Sequence, residues 1–318
     1  MPNNAFKTSI TSLLMGIIHR LRVLLASRNL FHNWLSAGIK YYLIKHHLIN
    51  EDIVIRFRCD NNKEYVLNPQ IYASIVNAYY DNLFNSLECR DAIYLILSYG
   101  NSKVRFYANP RAFLYNVLYD VVRENFLGGA YDDLVVSGRT VIDVGTGVGD
   151  TTILFALRGA RRIIAPEPYP SLYREALINI RANGLEDRVV LLNAGLGSYD
   201  GEVCASLNNV NGYMMFKQSS ECSVKVKMYT LSSLIREFDI ESGSVLKVDC
   251  EGCEYEIIPR ASSKDLSVFN QIIIEYHNGY HELRNALEKA GFKVIIKPIR
   301  SAEIPIERQG YIIAKSGI

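Results

Sequence analysis

A glycine-rich loop follows an apolar, strand-like run near the middle of the chain. The run spans 140–145 and contains Asp143, and the next residues alternate glycine with other types. The glycines are Gly145, Gly147 and Gly149, with Thr146 between the first two. Glycine adopts positive φ and lets another molecule approach the backbone closely, and Asp150 can cap the apolar helix expected after it. Strand, tight loop and helix in this order open a nucleotide site in a doubly wound sheet. The alternative is a purely structural glycine turn.

A second acid ends the next predicted strand. The run 162–167 is apolar and finishes with Pro166 and Glu167. A carboxylate at this place accepts hydrogen bonds from both ribose hydroxyls of an adenosine. It also disfavours a 2′-phosphate, because two anions would be forced together. Pro166 cannot donate to a sheet, so strand pairing should stop there. Glu167 could instead be a surface acid at a strand end.

The charge beside the loop discriminates between two nucleotide ligands. The dehydrogenase fingerprint spaces its glycines as G-x-G-x-x-G, whereas this chain reads D-x-G-x-G-x-G from Asp143. A pyrophosphate needs anion-binding amides and no negative charge nearby. S-adenosylmethionine has no phosphate and carries an ammonium and a sulfonium. Asp143 therefore favours the methyl donor over NAD on grounds of charge sign.

Two further strand-like runs carry a cluster of titratable residues. The first, 244–250, contains Lys247 and Asp249 and leads to Glu251, and the second, 272–277, contains Glu275 and His277. Residues two apart in a strand face the same side, and open α/β sheets bind ligands at the carboxyl ends of their strands. The carboxylates and the imidazole could bind a divalent metal. They could equally hydrogen-bond one another without an ion, and we expect no metal.

Residues 140–277 resemble the FkbM family of S-adenosylmethionine-dependent methyltransferases. The matching pieces are 141–150, Glu167 with Pro168, Asn179, Asn183, 193–197, 246–254 and 274–277. The chain departs from the family pattern at Pro166, Cys250 and Cys253. The resemblance implies a class I methyltransferase fold: an α/β, Rossmann-like, doubly wound domain with a mostly parallel seven-stranded sheet. It also implies O-methylation of a hydroxyl on a sugar, a glycolipid or another small molecule.

Residue roles follow from this resemblance. The expected cofactor contacts are Asp143, Gly145, Thr146, Gly147 and Gly149 at the amino-acid moiety, Glu167 and Pro168 at the ribose, Asn193 and Ala194 near the adenine, and Asp249. His277 is the most natural general base, because imidazole titrates near the working pH. Glu275, Asp249 and Glu251 are the alternates, and Lys247 is expected to pair with the acids. A catalytically inactive scaffold, a membrane adaptor and an NAD-dependent oxidoreductase remain as alternative functions.

The first fifty residues differ in charge from the rest of the chain. The net charge of the whole is +2, which argues against nucleic-acid binding. Residues 1–50 contain no Asp or Glu and six Lys or Arg, and apolar residues repeat at helical spacing from Ile10 to Leu25. A second helix is predicted from Trp34 to His47. Such a pair can lie on an anionic membrane through residues 8–47, or it can bury its stripe against the catalytic domain or a second copy, which is the commoner arrangement.

The chain is predicted to have three parts. Basic amphipathic helices occupy 1–50, a small α+β region 51–128, and the cofactor-binding domain 129–318, with the seam at Gly128 and Gly129. No apolar run reaches the roughly 20 residues of a spanning helix, and the scattered charges do not fit a secretory signal. The six cysteines predict a reduced, cytoplasmic protein. The Cys250-x-x-Cys253 spacing leaves a redox or zinc site as the alternative.

Overall fold

The computed structural model divides the chain into two compact units. It describes residues 3–60, 63–108, 122–210, 213–218, 224–299, 305 and 307–317. The first unit is Met1–Arg123 and the second is Glu124–Ile318. Within the described residues, no helix is both long enough and apolar enough to cross a bilayer.

Among its described residues, the first unit has three helices and five short strands. Its elements are α1 (Asn3–Ser27), α2 (Trp34–Lys45), β1 (Ile53–Ile55), β2 (Tyr65–Leu67), α3 (Pro69–Tyr80), β3 (Ser86–Cys89), β4 (Ile93–Tyr99) and β5 (Ser102–Tyr107). β1 and β2 form the predicted antiparallel hairpin, and β3, β4 and β5 form an antiparallel sheet. The aromatic rings of Phe31, Phe57 and Tyr72 stack on one another in the core.

One predicted helix of this unit is shorter than expected. The sequence predicts a helix over 71–87, whereas α3 ends at Tyr80 and 86–89 form β3. Asn82 adopts a φ of 59°, a left-handed conformation that asparagine tolerates and a helix does not. The apolar strand β4 then supplies a pairing partner for β3. The helix predicted over 111–126 lies outside the described residues as far as 121, and Val122–Leu127 form a π-helical turn.

The second unit is built on a seven-stranded sheet. Its strands are β6 (Thr140–Val144), β7 (Arg162–Pro166), β8 (Val189–Leu192), β13 (Ser244–Val248), β14 (Phe269–Tyr276), β15 (Phe292–Pro298) and β16 (Gly310–Ser316), in the order β15-β16-β14-β13-β6-β7-β8. The last five strands in that order are parallel, and β16 runs antiparallel to both of its neighbours. This is the mostly parallel, seven-stranded α/β sheet that the sequence predicted.

Helices and a second sheet complete this unit. The helices are α4 (Asp150–Leu157), α5 (Pro170–Ala182), α6 (Leu231–Glu237), α7 (Glu254–Ile257), α8 (Ser263–Leu266) and α9 (His281–Lys289). The second sheet has four strands, β9 (Ala194–Leu196), β10 (Gly201–Val210), β11 (Tyr213–Gln218) and β12 (Val224–Tyr229), in the order β11-β10-β12-β9. It lies in the stretch where short inserted strands were predicted. The core is apolar and includes the strand residues Ile142, Leu246, Ile272 and Ile312.

Candidate functional site

The glycine loop between β6 and α4 has the backbone that only glycine adopts readily. The φ angles are 74° at Gly145, 55° at Gly147 and 86° at Gly149. A Cβ on Gly145 would overlap the carbonyl oxygen of Asp249, so this glycine lets the ends of β6 and β13 meet. A Cβ on Gly147 would find no atom closer than Asp150 Oδ1 at 3.9 Å. The loop is therefore packed at Gly145 and leaves room for another molecule at Gly147.

The start of α4 differs from the expectation. Gly149, in the left-handed conformation, precedes the helix, and Asp150 is its first residue and not its cap. Asp150 Oδ2 accepts a hydrogen bond from Asn125 Nδ2 at 2.6 Å. Burial raises the pKa of Asp150 to about 7, against the attraction of Lys247. Thr146 is also buried, and its hydroxyl lies 2.6 Å from that of Thr152.

Asp143 is buried at the end of β6 and is bonded within the protein. Its Oδ2 accepts hydrogen bonds from the hydroxyls of Thr151 at 2.7 Å and Thr152 at 2.6 Å, and Oδ1 lies 3.2 Å from Lys247 Nζ. Burial alone would lower the pKa of Lys247, but Asp143, Asp249 and Asp150 outweigh it and raise that pKa. Asp143 thus fixes the loop to α4, and its charge is compensated by Lys247. A preference for a cationic ligand therefore depends on the other acids around the loop and not on Asp143.

Glu167 connects the end of β7 to the glycine loop. Its side chain is buried, and its two oxygens accept the backbone N–H groups of Gly147 at 2.9 Å and Tyr169 at 2.8 Å. Burial raises its pKa to about 8. Asn193 Nδ2 donates to the carbonyl oxygens of Glu167 and Pro168 at 3.0 and 3.2 Å, and Ala194 follows, buried in β9. The structure thus brings Glu167, Pro168, Asn193 and the glycine loop together, as the predicted site requires.

The acids and the histidine of β13 and β14 form a second cluster beside the loop. β13 ends at Val248, one residue before Asp249, so the predicted strand over 244–250 is two residues too long. Around His277 Nε2 lie Glu251 Oε2 at 3.6 Å, Asp249 Oδ1 at 3.9 Å and Glu275 Oε1 at 3.9 Å. The parallel pairing of β13 with β14 places these carboxyl ends next to each other. The four candidate catalytic residues therefore do meet.

His277 is bonded to an acid that the sequence analysis gave no role. Its Nδ1 lies 2.9 Å from Oε1 of the fully buried Glu254. Glu254 Oε2 accepts the backbone N–H of Gly252 at 2.8 Å. Burial alone would lower the pKa of His277, but the bond to Glu254 and the charges of Glu251 and Asp249 raise it to about 9. His277 is therefore protonated at neutral pH and has no lone pair to accept a proton.

The loop between Asp249 and Glu254 is closed by a disulfide. Cys250 and Cys253 are bonded to each other, and Glu251 between them has a φ of 56°. A positive φ in a residue other than glycine is a sparsely populated conformation that recurs at functional sites. Cys59 is bonded to Cys89 and Cys204 is also in a disulfide. The expectation of reduced cysteines is wrong for these residues. The fold brings Cys59 and Cys89 together across 30 positions, whereas the close spacing of Cys250 and Cys253 is visible in the sequence.

Two contacts to this cluster, and a third beside it, come from segments to which the sequence analysis assigned no role. Tyr131 is buried and its hydroxyl donates to Asp249 Oδ2 at 3.3 Å. Gln309 Nε2 donates to Glu275 Oε1 at 3.3 Å, and the Tyr311 hydroxyl donates to Glu124. Burial and the charge of Asp249 raise the pKa of Glu275 to about 8, against the attraction of His277. No local motif marks these residues; the pairing of β16 with β14 brings Tyr311 opposite Glu275.

The charged side chains of this site suit a cationic ligand. Seven carboxyl groups stand against two cationic side chains: Asp143, Asp150, Glu167, Asp249, Glu251, Glu254 and Glu275, with Lys247 and His277. Burial raises the pKa values of Asp150, Glu167 and Glu275, although Lys247 attracts the first two and His277 attracts the third. Within the described ranges, no group of three or more histidine, cysteine or acidic side chains is arranged to hold a metal ion.

Comparisons with known proteins identify the domain. Residues 143–294 match the profile of the methyltransferase FkbM domain. Hexuronic acid methyltransferase AglP of Haloferax volcanii is 28% identical over 138 residues, which are 43% of this chain and 55% of AglP. The probable protein arginine N-methyltransferase 6 of Arabidopsis thaliana is 33% identical over 92 residues, which are 28% of this chain and 21% of the relative. The chain thus spans about half or less of the curated relatives it matches.

Solved structures resemble the chain more distantly. The ribosomal protein L11 methylase of Lactobacillus delbrueckii subsp. bulgaricus gives a TM-score of 0.36 at 17% identity, covering 60% of this chain and 75% of that one. A putative tRNA (m1A22) methyltransferase of Streptococcus pneumoniae, in complex with S-adenosyl-L-methionine, gives 0.36 at 16% identity, covering 58% and 69%. The profile match confirms the resemblance predicted from the sequence motifs: residues 143–294, just under half of the chain, match a methyltransferase FkbM domain, and this agrees with the predicted cofactor, S-adenosylmethionine.

Proposed function

We propose that this chain transfers a methyl group from S-adenosylmethionine to a neutral hydroxyl of a sugar, a glycolipid or another small molecule. The observation that carries the proposal is the opening at Gly147, whose backbone N–H donates to the buried Glu167, in a loop whose Gly145 packs against the backbone of Asp249. The hexuronic acid named for AglP supports a sugar acceptor. The excess of carboxyl groups favours a neutral sugar over a charged one such as a hexuronic acid, because an anion would be repelled.

The residues around the loop fit the cofactor. The backbone of Gly147 has room beside it, and we infer that Glu167 and Pro168 hold the ribose and that Asn193 and Ala194 lie near the adenine. The cofactor supplies an electrophilic methyl group on a sulfonium that is already a good leaving group. The chain's main task is therefore to align an acceptor oxygen and to take up its proton.

We assign the proton acceptor to Asp249. The side chain is 27% exposed, its Oδ2 accepts the hydroxyl of Tyr131, and its Oδ1 is 3.9 Å from His277 Nε2, too far for a hydrogen bond. Oδ1 can therefore accept the proton of an incoming hydroxyl. The hydroxyl proton becomes strongly acidic as the oxygen forms its new bond to carbon, so a carboxylate is basic enough to take that proton.

His277 then positions the acids and does not act as the base. Its imidazolium is bonded to Glu254 on one side and faces Asp249, Glu251 and Glu275 on the other. The positive charge keeps these carboxyl groups ionised more than they would be without it. This proposal replaces the sequence expectation, in which His277 removes the proton, and retains Asp249, Glu251 and Glu275 as catalytic candidates.

The first experiment separates the proposal from its two rivals. Calorimetric titration of the full chain should show binding of S-adenosylmethionine and none of NAD; preferential NAD binding would favour the oxidoreductase. Transfer of a labelled methyl group should then be measured to neutral hexoses, hexuronic acids, glycolipids and arginine-containing peptides. Transfer to a hydroxyl supports the proposal, transfer to the peptide alone contradicts the acceptor class, and no transfer at all favours the inactive scaffold.

Three expectations remain predictions within this proposal. From the sequence we expect a homo-oligomer, a location in the cytoplasm, and a peripheral contact with a membrane surface. The disulfides remove the reduced cysteines on which the cytoplasmic prediction rested. Size measurement in solution tests for the oligomer, fractionation of cells tests the cytoplasmic location, and vesicle binding tests the membrane contact.

A further inference from the structure

Exposed apolar side chains are concentrated in the first two helices. Among the described residues, fifteen large apolar side chains are exposed, and nine of them fall between residues 15 and 48. They are Met15, Ile17, Ile18, Leu21, Leu25, Leu35, Ile39, Tyr42 and Leu48, each between 46% and 66% exposed. Single exposed apolar residues need no explanation, but a contiguous group marks a binding surface.

The exposed residues of α1 lie on one face of the helix. At 100° per residue, Ile18, Leu21 and Leu25 fall within about 60° of one another. On another side of α1 the exposed His19 ring meets that of Tyr80 at 5.2 Å, and Ser27 is buried. These three residues of the predicted stripe therefore point away from the core of their own unit.

α2 repeats this arrangement. Leu35, Ile39 and Tyr42 also fall within about 60° of one another, while Ala37 and Gly38 are buried on the other side. An added Cβ on Gly38 would overlap the Leu24 side chain of α1, so the two helices are in close contact at Gly38. Their packing leaves both apolar stripes exposed.

The charges around these stripes are all of one sign. Residues 1–50 contain no Asp or Glu. Arg22 lies beside the stripe of α1 and Arg28 directly follows the last residue of that helix. Neither of these two arginines nor Lys45 forms an ion pair with a described residue. Lys40 pairs with Glu51 at 2.6 Å. Apolar side chains next to arginines suit a partner surface whose interior is apolar and whose outer layer carries negative charge.

We propose that the exposed face of α1 and α2 binds the surface of a lipid bilayer that contains anionic headgroups. The apolar side chains would enter the boundary between headgroups and acyl chains, and the arginines would meet phosphates. A second copy of the chain is a poorer occupant, because two such faces would bring like charges together. This inference stands independently of methyl transfer.

The single tryptophan of the chain provides the readout. Trp34 begins α2 and is half-buried beside the exposed Leu35. The full chain is mixed with vesicles of phosphatidylcholine alone or with added phosphatidylglycerol. We expect co-sedimentation with the anionic vesicles only, a blue shift of Trp34 fluorescence, quenching by brominated acyl chains, and release at high salt. Binding without any change at Trp34 would place the lipid contact elsewhere and overturn the proposal.

Two variants and matched controls locate the contact. Arg22→Gln with Arg28→Gln should weaken vesicle binding about fivefold for each charge, and Leu21→Ser with Leu25→Ser should weaken it about tenfold. Lys103→Gln and Ile295→Ser alter exposed residues outside the helices and should leave binding unchanged. Circular dichroism checks that each variant is folded. Equal loss in the controls, or a dimer of the parent chain that Leu21→Ser dissociates without any lipid binding, would refute a bilayer contact.

Discussion

Glu254 holds His277 through a bond of 2.9 Å between Oε1 and Nδ1 at the centre of the acid cluster. Glu254 is fully buried and His277 nearly so, at 12% exposure of the side chain. The pair fixes the imidazole with Nε2 toward three further carboxyl groups. It thereby decides which group in the site can accept a proton and which cannot.

The pair makes stability depend on pH in a defined direction. The folded pKa of His277 is raised from 6.5 to about 9, so its contribution is fully present below pH 6.5 and is lost as pH rises through about 9. The shift corresponds to about 3 kcal/mol of unfolding free energy. Urea unfolding of the parent chain and of His277→Gln should therefore differ most at low pH and converge near pH 9. His281→Gln, on the exposed start of α9, should retain the parent's profile.

Replacing Glu254 tests the cause of that shift. Glu254→Gln keeps a hydrogen-bonding oxygen and removes the charge, so the pKa of His277 should fall toward its ordinary value. Proton NMR titration of the His277 ring measures it directly. A pKa still near 9 in this variant would mean that Glu251 and Asp249 alone hold the proton.

Asp249 and His277 should differ in their effect on methyl transfer. Asp249→Asn removes the proposed proton acceptor and should lower kcat by about 10²- to 10⁴-fold. His277→Gln removes only a positioning charge and should lower kcat less and shift the pH profile. Asp187→Asn, an exposed change elsewhere, is the control. If Asp249→Asn keeps its kcat while His277→Gln loses it, the base is His277 and our assignment fails.

Two glycines of one loop should respond differently to alanine. At Gly145 the added Cβ overlaps the Asp249 carbonyl at a φ of 74°, so Gly145→Ala should cost about 3 kcal/mol of unfolding free energy. At Gly147 the space is open and only the φ of 55° is unfavourable, so Gly147→Ala should cost about 1 kcal/mol. Yet Gly147→Ala should weaken S-adenosylmethionine binding, which calorimetry measures. Unimpaired binding by folded Gly147→Ala would move the cofactor away from this opening.

The sequence predicted those structural elements that depend on residues close together in the chain. The strand, glycine loop and helix around 140–157 and the strand ends at Glu167 and His277 follow from short runs of residue type. The role of Asp143 did not, because its charge partner, Lys247, is about a hundred positions away and is brought to it by the pairing of β6 with β13. Tyr131 and Glu254 were missed for the same reason. Burial, which raises the pKa of Glu167, is likewise a property of the assembled sheet.

Binding of a cation to this site should release protons. The pKa values of Glu167 and Asp150 are about 8 and about 7 in the free chain because burial outweighs the attraction of Lys247. A positively charged ligand stabilises the ionised form and lowers both pKa values, so S-adenosylmethionine binding at pH 7 should release up to about one proton. Calorimetry in buffers of different ionisation enthalpy measures this number. Glu167→Gln should reduce it, whereas Glu186→Gln, an exposed change, should not. Proton uptake, or a release that Glu167→Gln leaves intact, would show that the ligand's charge does not lie beside Glu167.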